Sequence, residues 1–176
     1  ASDMEGNLPF HNWNPATPNE AYFKNIDRVL AVARSKKLIL AMMPCGGSSG
    51  AFVRQKKIFT EANVREYGRW LGARYKDVPN LIWVNGFDLK PSEYPEISRA
   101  LAAGLREGDA GAHLITFHPG GGNSSSYYHT ESWLSYNTIQ TWNDYWRIHP
   151  LVLADYCRLP VKPVVMAEGA YEAGPE

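Results

Sequence analysis

The stretch Leu81-Ile82-Trp83-Val84-Asn85-Gly86-Phe87-Asp88 decides how the whole chain is interpreted. Its apolar residues include Ile, Trp and Val, and such a run is typical of a strand buried on both faces. The run ends abruptly in polar residues and the carboxylate of Asp88. Reactive groups of α/β proteins gather where strands end at the carboxyl edge of the sheet. Asp88 is therefore a candidate reactive group, and its partner must come from elsewhere in the chain.

Helical and strand-like patterns alternate on both sides of this stretch. One helix is predicted after an N-cap at Thr17, with Pro18 at its first position and Glu20 completing a capping box. It closes at residues 35–37, and a second helix follows an N-cap at Thr60. The second helix ends near residue 76, and two further helices are predicted over 92–107 and somewhere within 144–158. The predicted strands cover residues 38–43, 81–86, 113–117, 136–140 and 163–167. Pro150 either starts or kinks the last helix.

This order of elements predicts parallel strands in one sheet, because right-handed crossovers join successive strands. A (β/α)8 barrel typically needs about 250 residues, whereas this chain has 176. The chain opens in a loop ahead of a helix that lacks a preceding strand, and it stops shortly after a strand. We therefore expect an α/β fold, a partial TIM (β/α)8 barrel, as a single domain over residues 1–176 truncated at both ends. An open doubly wound sheet is the alternative.

Charge and composition argue against several classes of function. The chain carries 18 basic and 18 acidic side chains, so it has no electrostatic footprint for nucleic acid or an anionic membrane. No apolar run approaches the roughly 20 residues that span a bilayer. Cys45 and Cys157 form neither a disulfide framework nor a metal cluster. The glycine-rich run over residues 46–50 matches neither nucleotide-binding fingerprint, so no cofactor is expected.

Two carboxylates, Asp88 and Glu168, stand at the ends of predicted strands. In a parallel barrel all strand ends open onto one mouth, so the two side chains can face each other there. A carboxylate pair about 5–5.5 Å apart performs retaining glycoside hydrolysis, and a pair at roughly 6.5–9.5 Å performs the inverting reaction. Carboxylates at strand ends also cap following helices, and that interpretation stays open. Glu131 and Glu172 are rival carboxylates in predicted loops.

His118 also ends a predicted strand, where it can contact a sugar hydroxyl or ligate a metal. No His-x-His or His-Glu-x-x-His spacing supports a metal site, so none is predicted. Trp133, Trp142 and Tyr171 can serve as stacking platforms for a sugar or can pack in the core.

Several runs of the chain resemble the apiosidase-like glycoside hydrolases, that is, glycoside hydrolase family 140 and its wider superfamily of putative glycosidases. The runs are Asn19–Phe23, Tyr67–Leu71, Pro79–Val84, His113–Pro119, and Lys162–Val164 followed by Glu168 and Tyr171-Glu172. They occur in the family's order over nearly the whole chain. The resemblance implies a (β/α)8 barrel of which this chain is an internal fragment, about strands 3–7 with their helices. In such barrels the acid/base follows strand 4 and the nucleophile follows strand 7.

On this resemblance, Asp88 occupies the acid/base position and Glu168 the nucleophile position. His118, Gln140, Trp142, Tyr171 and Asn85 are the predicted substrate-binding residues. The sequence departs from the family pattern in three places. Phe87 replaces a glycine before the acid, Glu168 lacks the flanking Gly and Pro, and residues 45–52 lack a Trp-Gly pair.

The function predicted from the sequence is therefore retaining hydrolysis of a glycosidic bond in plant cell-wall or related polysaccharide side chains. The expected partner is an oligosaccharide or polysaccharide, and the oligomeric state stays open. The family is largely bacterial and commonly exported, which implies an extracellular or periplasmic location. A non-catalytic carbohydrate-binding barrel is the main alternative, and a metal-dependent hydrolase that uses His118 is a weaker one.

Overall fold

In the computed structural model, which describes residues 2–45 and 58–172, parallel strands alternate with helices. The strands within these residues are β1 (Leu40–Met42), β2 (Leu81–Leu89), β3 (Ile115–Pro119), β4 (Asn137–Trp142) and β5 (Val164–Gly169). The α-helices are α1 (Glu20–Ser35), α2 (Glu61–Tyr75), α3 (Pro95–Asp109) and α4 (Ile148–Tyr156). Short 3-10 helices cover His11–Trp13, Ser125–Tyr128 and Tyr145–Arg147. Most of the predicted glycine- and serine-rich loop lies outside the described residues.

The strands are laid down in chain order, each parallel to its neighbour. Strand β2 pairs with both β1 and β3, and β4 pairs with β5. A doubly wound sheet reverses its strand order at a switch point, and no such reversal occurs among the described strands. They curl into half of a barrel, so the predicted partial TIM-barrel fold is confirmed. No described helix has both the length and the apolar character to cross a bilayer.

Side-chain hydroxyls join the two sheets along β3 and β4, which we call the hydroxyl seam (Thr116, Ser135 and Thr138). Thr116 Oγ1 donates to the carbonyl of Tyr136 at 2.8 Å, and Ser135 Oγ accepts from the backbone N–H of Ile115 at 3.0 Å. Thr138 Oγ1 donates to the carbonyl of Phe117. The backbone N–H of Ser135 also donates to the carbonyl of Ile115 at 2.8 Å, and together these bonds keep the half-barrel continuous.

Helices α2 and α3 approach closely because small residues face each other at their crossing. A Cβ added to Gly104 would lie 2.1 Å from the carbonyl oxygen of Arg65, and one added to Gly72 would lie 2.4 Å from that of Leu105. Gly68 and Gly108 are equally confined. A side chain at any of these positions would force the helices apart and open the core beneath them.

A closed polar group, the amino-edge cluster (Trp83, Asp109 and His113), lies where strands β2 and β3 begin. Trp83 Nε1 donates to Asp109 Oδ2 at 3.0 Å, and His113 Nδ1 contacts the same oxygen at 3.0 Å. His113 Nε2 lies 2.8 Å from the carbonyl oxygen of Val78. Both ring nitrogens of the imidazole therefore lie within hydrogen-bonding distance of an oxygen. Asp109 and His113 are 0% and 5% exposed, so the contact between them is buried.

The helix starts predicted from capping residues in the sequence are only partly correct. Thr60 caps α2, with Asn63 completing a capping box. The cap predicted at Thr17 is wrong, because Asn19 accepts the N–H of Ala21 and begins α1. The Thr17 hydroxyl instead donates to carbonyls of the preceding loop, which removes it from the helix. Pro150 lies in the first turn of α4, where its missing N–H costs no helical hydrogen bond.

Candidate active site

Asp88 is presented by a bulge near the end of β2. Asn85 pairs with Phe117 and Leu89 with Pro119, so three residues of β2 lie opposite one residue of β3. Gly86 has φ +101°, and a Cβ there would lie 2.5 Å from the carbonyl oxygen of His118. Asp88 itself has φ +57°, a left-handed conformation that aspartate tolerates better than most residues. The bulge therefore turns the Asp88 carboxylate out of the ladder at the carboxyl edge of the sheet.

Glu168 lies near the end of β5, in the carboxyl-edge cluster (His118, Trp142 and Glu168). Trp142 Nε1 donates to Glu168 Oε1 at 3.0 Å, and His118 Nε2 lies 3.3 Å from Oε2. The Tyr171 hydroxyl also donates to Oε1. The two donors come from β4 and the segment after β5, and the imidazole comes from β3, so three parts of the chain surround one carboxylate. Donation to a carboxylate stabilises its negative charge.

The two predicted carboxylates meet at the mouth of the half-barrel. One ligand atom each of Asp88, His118 and Glu168 lies within 4.8 Å of the other two. Asp88 is exposed, and no described residue donates a hydrogen bond to its carboxylate. Glu168 and His118 are partly covered, at 19% and 14% exposure. One carboxylate is thus tightly held and the other is free to meet a ligand.

The structure gives the predicted substrate-binding residues different surroundings. Trp142 and Tyr171 are 48% and 66% exposed at the mouth. Asn85 is fully buried, where its side chain donates to the carbonyl of Ser98 and accepts the N–H of Gly86, so it supports the bulge. Gln140 is also fully buried, and neither of its amide atoms has a hydrogen-bond partner among the described residues. Sugar contacts by these four residues and by His118 stay predictions.

The other candidates from the sequence have ordinary structural surroundings. Trp133 is buried, with its ring centroid 5.1 Å from that of Tyr128, so it packs in the core. Glu131 forms an ion pair with Arg99 at 2.8 Å. Glu172 is exposed near the end of the described residues. None of the three joins the carboxylate pair.

The cluster of Asp88, His118 and Glu168 also has the spacing of a three-ligand cation site. Imidazole and carboxylate ligands suit zinc and similar divalent ions. Glu168 Oε1, however, already accepts from Trp142 and Tyr171, and Oε2 lies 3.3 Å from His118 Nε2. A cation between these groups would have to replace the contact between His118 and Glu168.

Cavity size alone does not locate this site. A groove of about 690 Å³ borders Trp142 and Tyr171, and a larger cavity of about 790 Å³ lies between α1 and α2. The larger cavity contains Arg74, which is held by Asp27 and Glu20 at 2.8 Å each. It contains neither carboxylate of the pair, so we assign the chemistry to the mouth of the half-barrel.

Sequence reasoning missed two features of this site. The bulge at residues 86–88 depends on pairing with β3, and only the glycine at 86 hinted at it. Arg147 and Asp144 beside Trp142 were not identified, although a charged pair three residues apart next to an aromatic residue was visible in the sequence.

Comparison with known proteins gives a consistent result. The family model for the apiosidase-like catalytic domain matches residues 1–176. A search of curated proteins returned no match. A solved glycoside hydrolase family 5 protein from Bacteroides vulgatus is 28% identical with a TM-score of 0.86, and the alignment covers 100% of this chain and 41% of that one. A second solved structure, described as a glycoside hydrolase, is 26% identical with a TM-score of 0.86, covering 100% and 44%. The chain thus spans less than half the length of either protein.

Proposed function

The chain belongs to the apiosidase-like catalytic domain family, and on this premise we propose that it is part of a retaining glycoside hydrolase. Glu168 is the nucleophile and Asp88 the acid/base. The observation that carries the proposal is that one oxygen of each carboxylate lies within 4.8 Å of the other. This short separation favours the retaining arrangement, at about 5–5.5 Å, over the inverting one, which needs room for a water molecule.

In the first step, an oxygen of Glu168 bonds to the anomeric carbon while the bond from that carbon to the leaving oxygen breaks. Asp88 gives its proton to the leaving oxygen. In the second step, Asp88 takes a proton from water, the water oxygen bonds to the anomeric carbon, and the Glu168 carboxylate is released. Both carboxyl groups are then in their starting states.

The contacts of the two carboxylates support this division of roles. Glu168 is held by Trp142, Tyr171 and His118, and a nucleophile gains from being fixed in line with the carbon it attacks. The Trp142 and Tyr171 donors stabilise the negative charge that returns when the covalent intermediate breaks down. Asp88 has no described hydrogen-bond partner, so it can approach first the leaving oxygen and then water.

The test uses the full-length protein with branched pectins and arabinose- or apiose-containing glycans as substrates. Proton NMR during hydrolysis should show that the first product keeps the anomeric configuration of the substrate. Initial inversion would overturn the retaining mechanism. Near-full activity of Asp88→Asn or Glu168→Gln would overturn the assignment of the corresponding residue.

A second candidate is a metal-dependent hydrolase, which is favoured by the compact spacing of Asp88, His118 and Glu168. In that case metal analysis of the purified protein would find a stoichiometric divalent ion, and a chelator would abolish turnover. A retaining glycosidase of the proposed kind keeps its activity in chelator. Oligosaccharide binding without any reducing-end release would instead favour a non-catalytic carbohydrate-binding barrel.

We propose plant cell-wall or related polysaccharide side chains as the substrate, with the reaction taking place outside the cytoplasm of a bacterium. Such polymers are too large to enter a cell intact, so the enzyme must meet them at or beyond the cell surface. Cell fractionation of the producing organism, followed by immunodetection of the protein, tests this location.

A further inference from the structure

The groove of about 690 Å³ beside Glu168 has a floor and a polar side that the carboxylate chemistry does not use. Its volume falls within the range of about 300–1,000 Å³ that is common for small-molecule sites. The groove adjoins the reacting centre, because Trp142 and Tyr171 line it and also donate to Glu168. A ligand in the groove would therefore lie next to whatever reacts at Glu168.

The aromatic walls of the groove are exposed but held in place. Trp142 and Tyr171 each use their polar atom on Glu168 Oε1, which fixes the orientation of both rings. Roughly half or more of each side chain nevertheless faces solvent. Exposed aromatic rings with fixed orientation offer an apolar surface to a ligand at little cost in side-chain entropy.

Two glycines, Gly121 and Gly122, form the floor of the groove and leave its space unfilled by side chains. A Cβ on Gly121 would lie 3.3 Å from the Trp142 ring, and a Cβ on Gly122 would lie 3.0 Å from Arg147 Nη1. Gly122 also has φ +71°, which favours glycine for conformational reasons. The loop after β3 can therefore lie close to both side chains, and this leaves the groove open.

Arg147 and Asp144 supply the polar side of the groove. The Arg147 guanidinium lies 4.7 Å from the centre of the Trp146 ring, and its Nη1 donates to the carbonyl of Gly122 at 3.3 Å. Its Nε lies 3.2 Å from Asp144 Oδ2, but without hydrogen-bond geometry, and this buried nitrogen has no other described partner. The guanidinium is thus held in place, and 41% of the Arg147 side chain is exposed toward a ligand in the groove.

We propose that this groove is a second saccharide subsite, which takes a neutral sugar ring linked glycosidically to the sugar that reacts at Glu168. The inference rests on the proposed function for the identity of the neighbouring sugar. A sugar ring matches the groove because its C–H face suits the aromatic walls and its hydroxyls both donate and accept. Arg147 supplies donors and Asp144 supplies acceptors, and because their charges balance, a neutral ring fits better than an acidic one.

The test is gel electrophoresis of the full-length protein in gels that contain soluble arabinoxylan, arabinan or polygalacturonate. The Asp88→Asn background prevents hydrolysis, and it keeps the contacts of Glu168 because Asp88 makes none of them. We expect arabinoxylan or arabinan to slow this protein. Adding Arg147→Met should weaken the measured affinity about tenfold, and Gly122→Ala, whose methyl group meets Arg147, should weaken it in the same direction.

Arg158→Met is the matched control. Arg158 also pairs with an aspartate three residues earlier, Asp155 at 3.6 Å, but it does not line the groove. Thermal unfolding of each variant checks that the fold is intact. Unchanged affinity in Arg147→Met, an equal loss in Arg158→Met, retardation by polygalacturonate alone, or no retardation in any gel would each overturn the subsite. A different outcome is that the wild-type protein binds the polysaccharide, loses affinity in Arg147→Met, and yet releases no reducing ends. That outcome would overturn the proposed hydrolysis but not the subsite.

Discussion

The amino-edge cluster and the carboxyl-edge cluster contain the same three chemical groups: an indole, an imidazole and a carboxylate. In both, the indole N–H lies 3.0 Å from a carboxylate oxygen. The imidazole contacts the carboxylate at 3.0 Å in the first cluster and 3.3 Å in the second. The contacts alone would therefore not distinguish a structural cluster from a reactive one.

The two clusters differ in what surrounds these contacts. At the amino edge the carboxylate is completely buried, and the second imidazole nitrogen is used by the carbonyl of Val78. At the carboxyl edge Glu168 is partly exposed and faces Asp88, and His118 Nδ1 has no described partner. A carboxylate that is completely buried and already surrounded by hydrogen-bonding partners can only stabilise the fold. One that is oriented by donors but open on another side can also react.

The largest expected effect comes from Glu168→Gln in the carboxyl-edge cluster. The amide is a poor nucleophile, so kcat/KM should fall about 10⁴-fold or more, which corresponds to above 5 kcal/mol in the activation barrier. The free energy of unfolding should change by less than about 1 kcal/mol, because the side chain is partly exposed. Steady-state kinetics and urea titration measure the two quantities. A large loss of stability would show that the cluster is structural, like its counterpart.

Asp109→Ala in the amino-edge cluster should show the opposite pattern. The substitution leaves the His113 imidazole and the Trp83 N–H buried without the acceptor they share, so the free energy of unfolding should fall by about 2–5 kcal/mol. Urea denaturation followed by circular dichroism measures this loss. The kcat of the molecules that remain folded should stay near the wild-type value. If stability drops by less than about 1 kcal/mol, the buried contacts of Asp109 are not what holds this edge together.

The two histidines provide a matched pair of variants. His118→Asn should lower kcat on the order of 10-fold, since it removes the imidazole 3.3 Å from Glu168 Oε2 while the Trp142 and Tyr171 donors to Oε1 remain. His113→Asn should leave kcat unchanged and lower the free energy of unfolding by about 2 kcal/mol, because Asp109 loses a buried partner. If the two variants change kcat equally, or change the free energy of unfolding equally, the two clusters do not differ in role as described.

The smallest effect is expected at Glu107 on α3, a more exposed carboxylate with which the carboxylates of both clusters can be compared. Hydrogen bonds from Arg65 and Arg69 hold the pKa of its carboxyl below the ordinary value. The folded state therefore gains stability from this group above the unfolded pKa, near 4.5, and loses it as the pH falls through the lower folded pKa. Glu107→Gln should cost about 0.5 kcal/mol at pH 7, with the difference vanishing in acid, because the group is a third exposed. Unfolding titrations at pH 7 and pH 3 test this, and a constant difference would contradict it.

Much of the fold could be predicted from the sequence because burial leaves a strong local signal. The apolar run before Asp88 predicted a buried strand, and the alternation of elements predicted parallel order. The positions of Asp88 and Glu168 near strand ends followed from the same pattern, and the structure brings them together.

Features that depend on distant pairing were not predictable. The bulge before Asp88 exists because β2 pairs with β3 out of register, and nothing within β2 specifies that register. The prediction at Thr17 failed for a related reason, since its hydroxyl is taken by carbonyls of a loop whose path the helix motif does not encode. Trp142 was expected to contact a sugar, but its bond to Glu168 joins two strands that the sequence shows only as separate runs.

The hydroxyl seam between β3 and β4 has a mechanical consequence. Asp88 belongs to the sheet on one side of the seam and Glu168 to the sheet on the other. The hydroxyl seam of Thr116, Ser135 and Thr138 therefore connects the two sheets that carry the carboxylates. The separation of Asp88 and Glu168 therefore depends partly on hydroxyl groups that lie outside the pair itself. A change of hydroxyl to methyl in the seam would loosen the connection between the two sheets that carry these carboxylates.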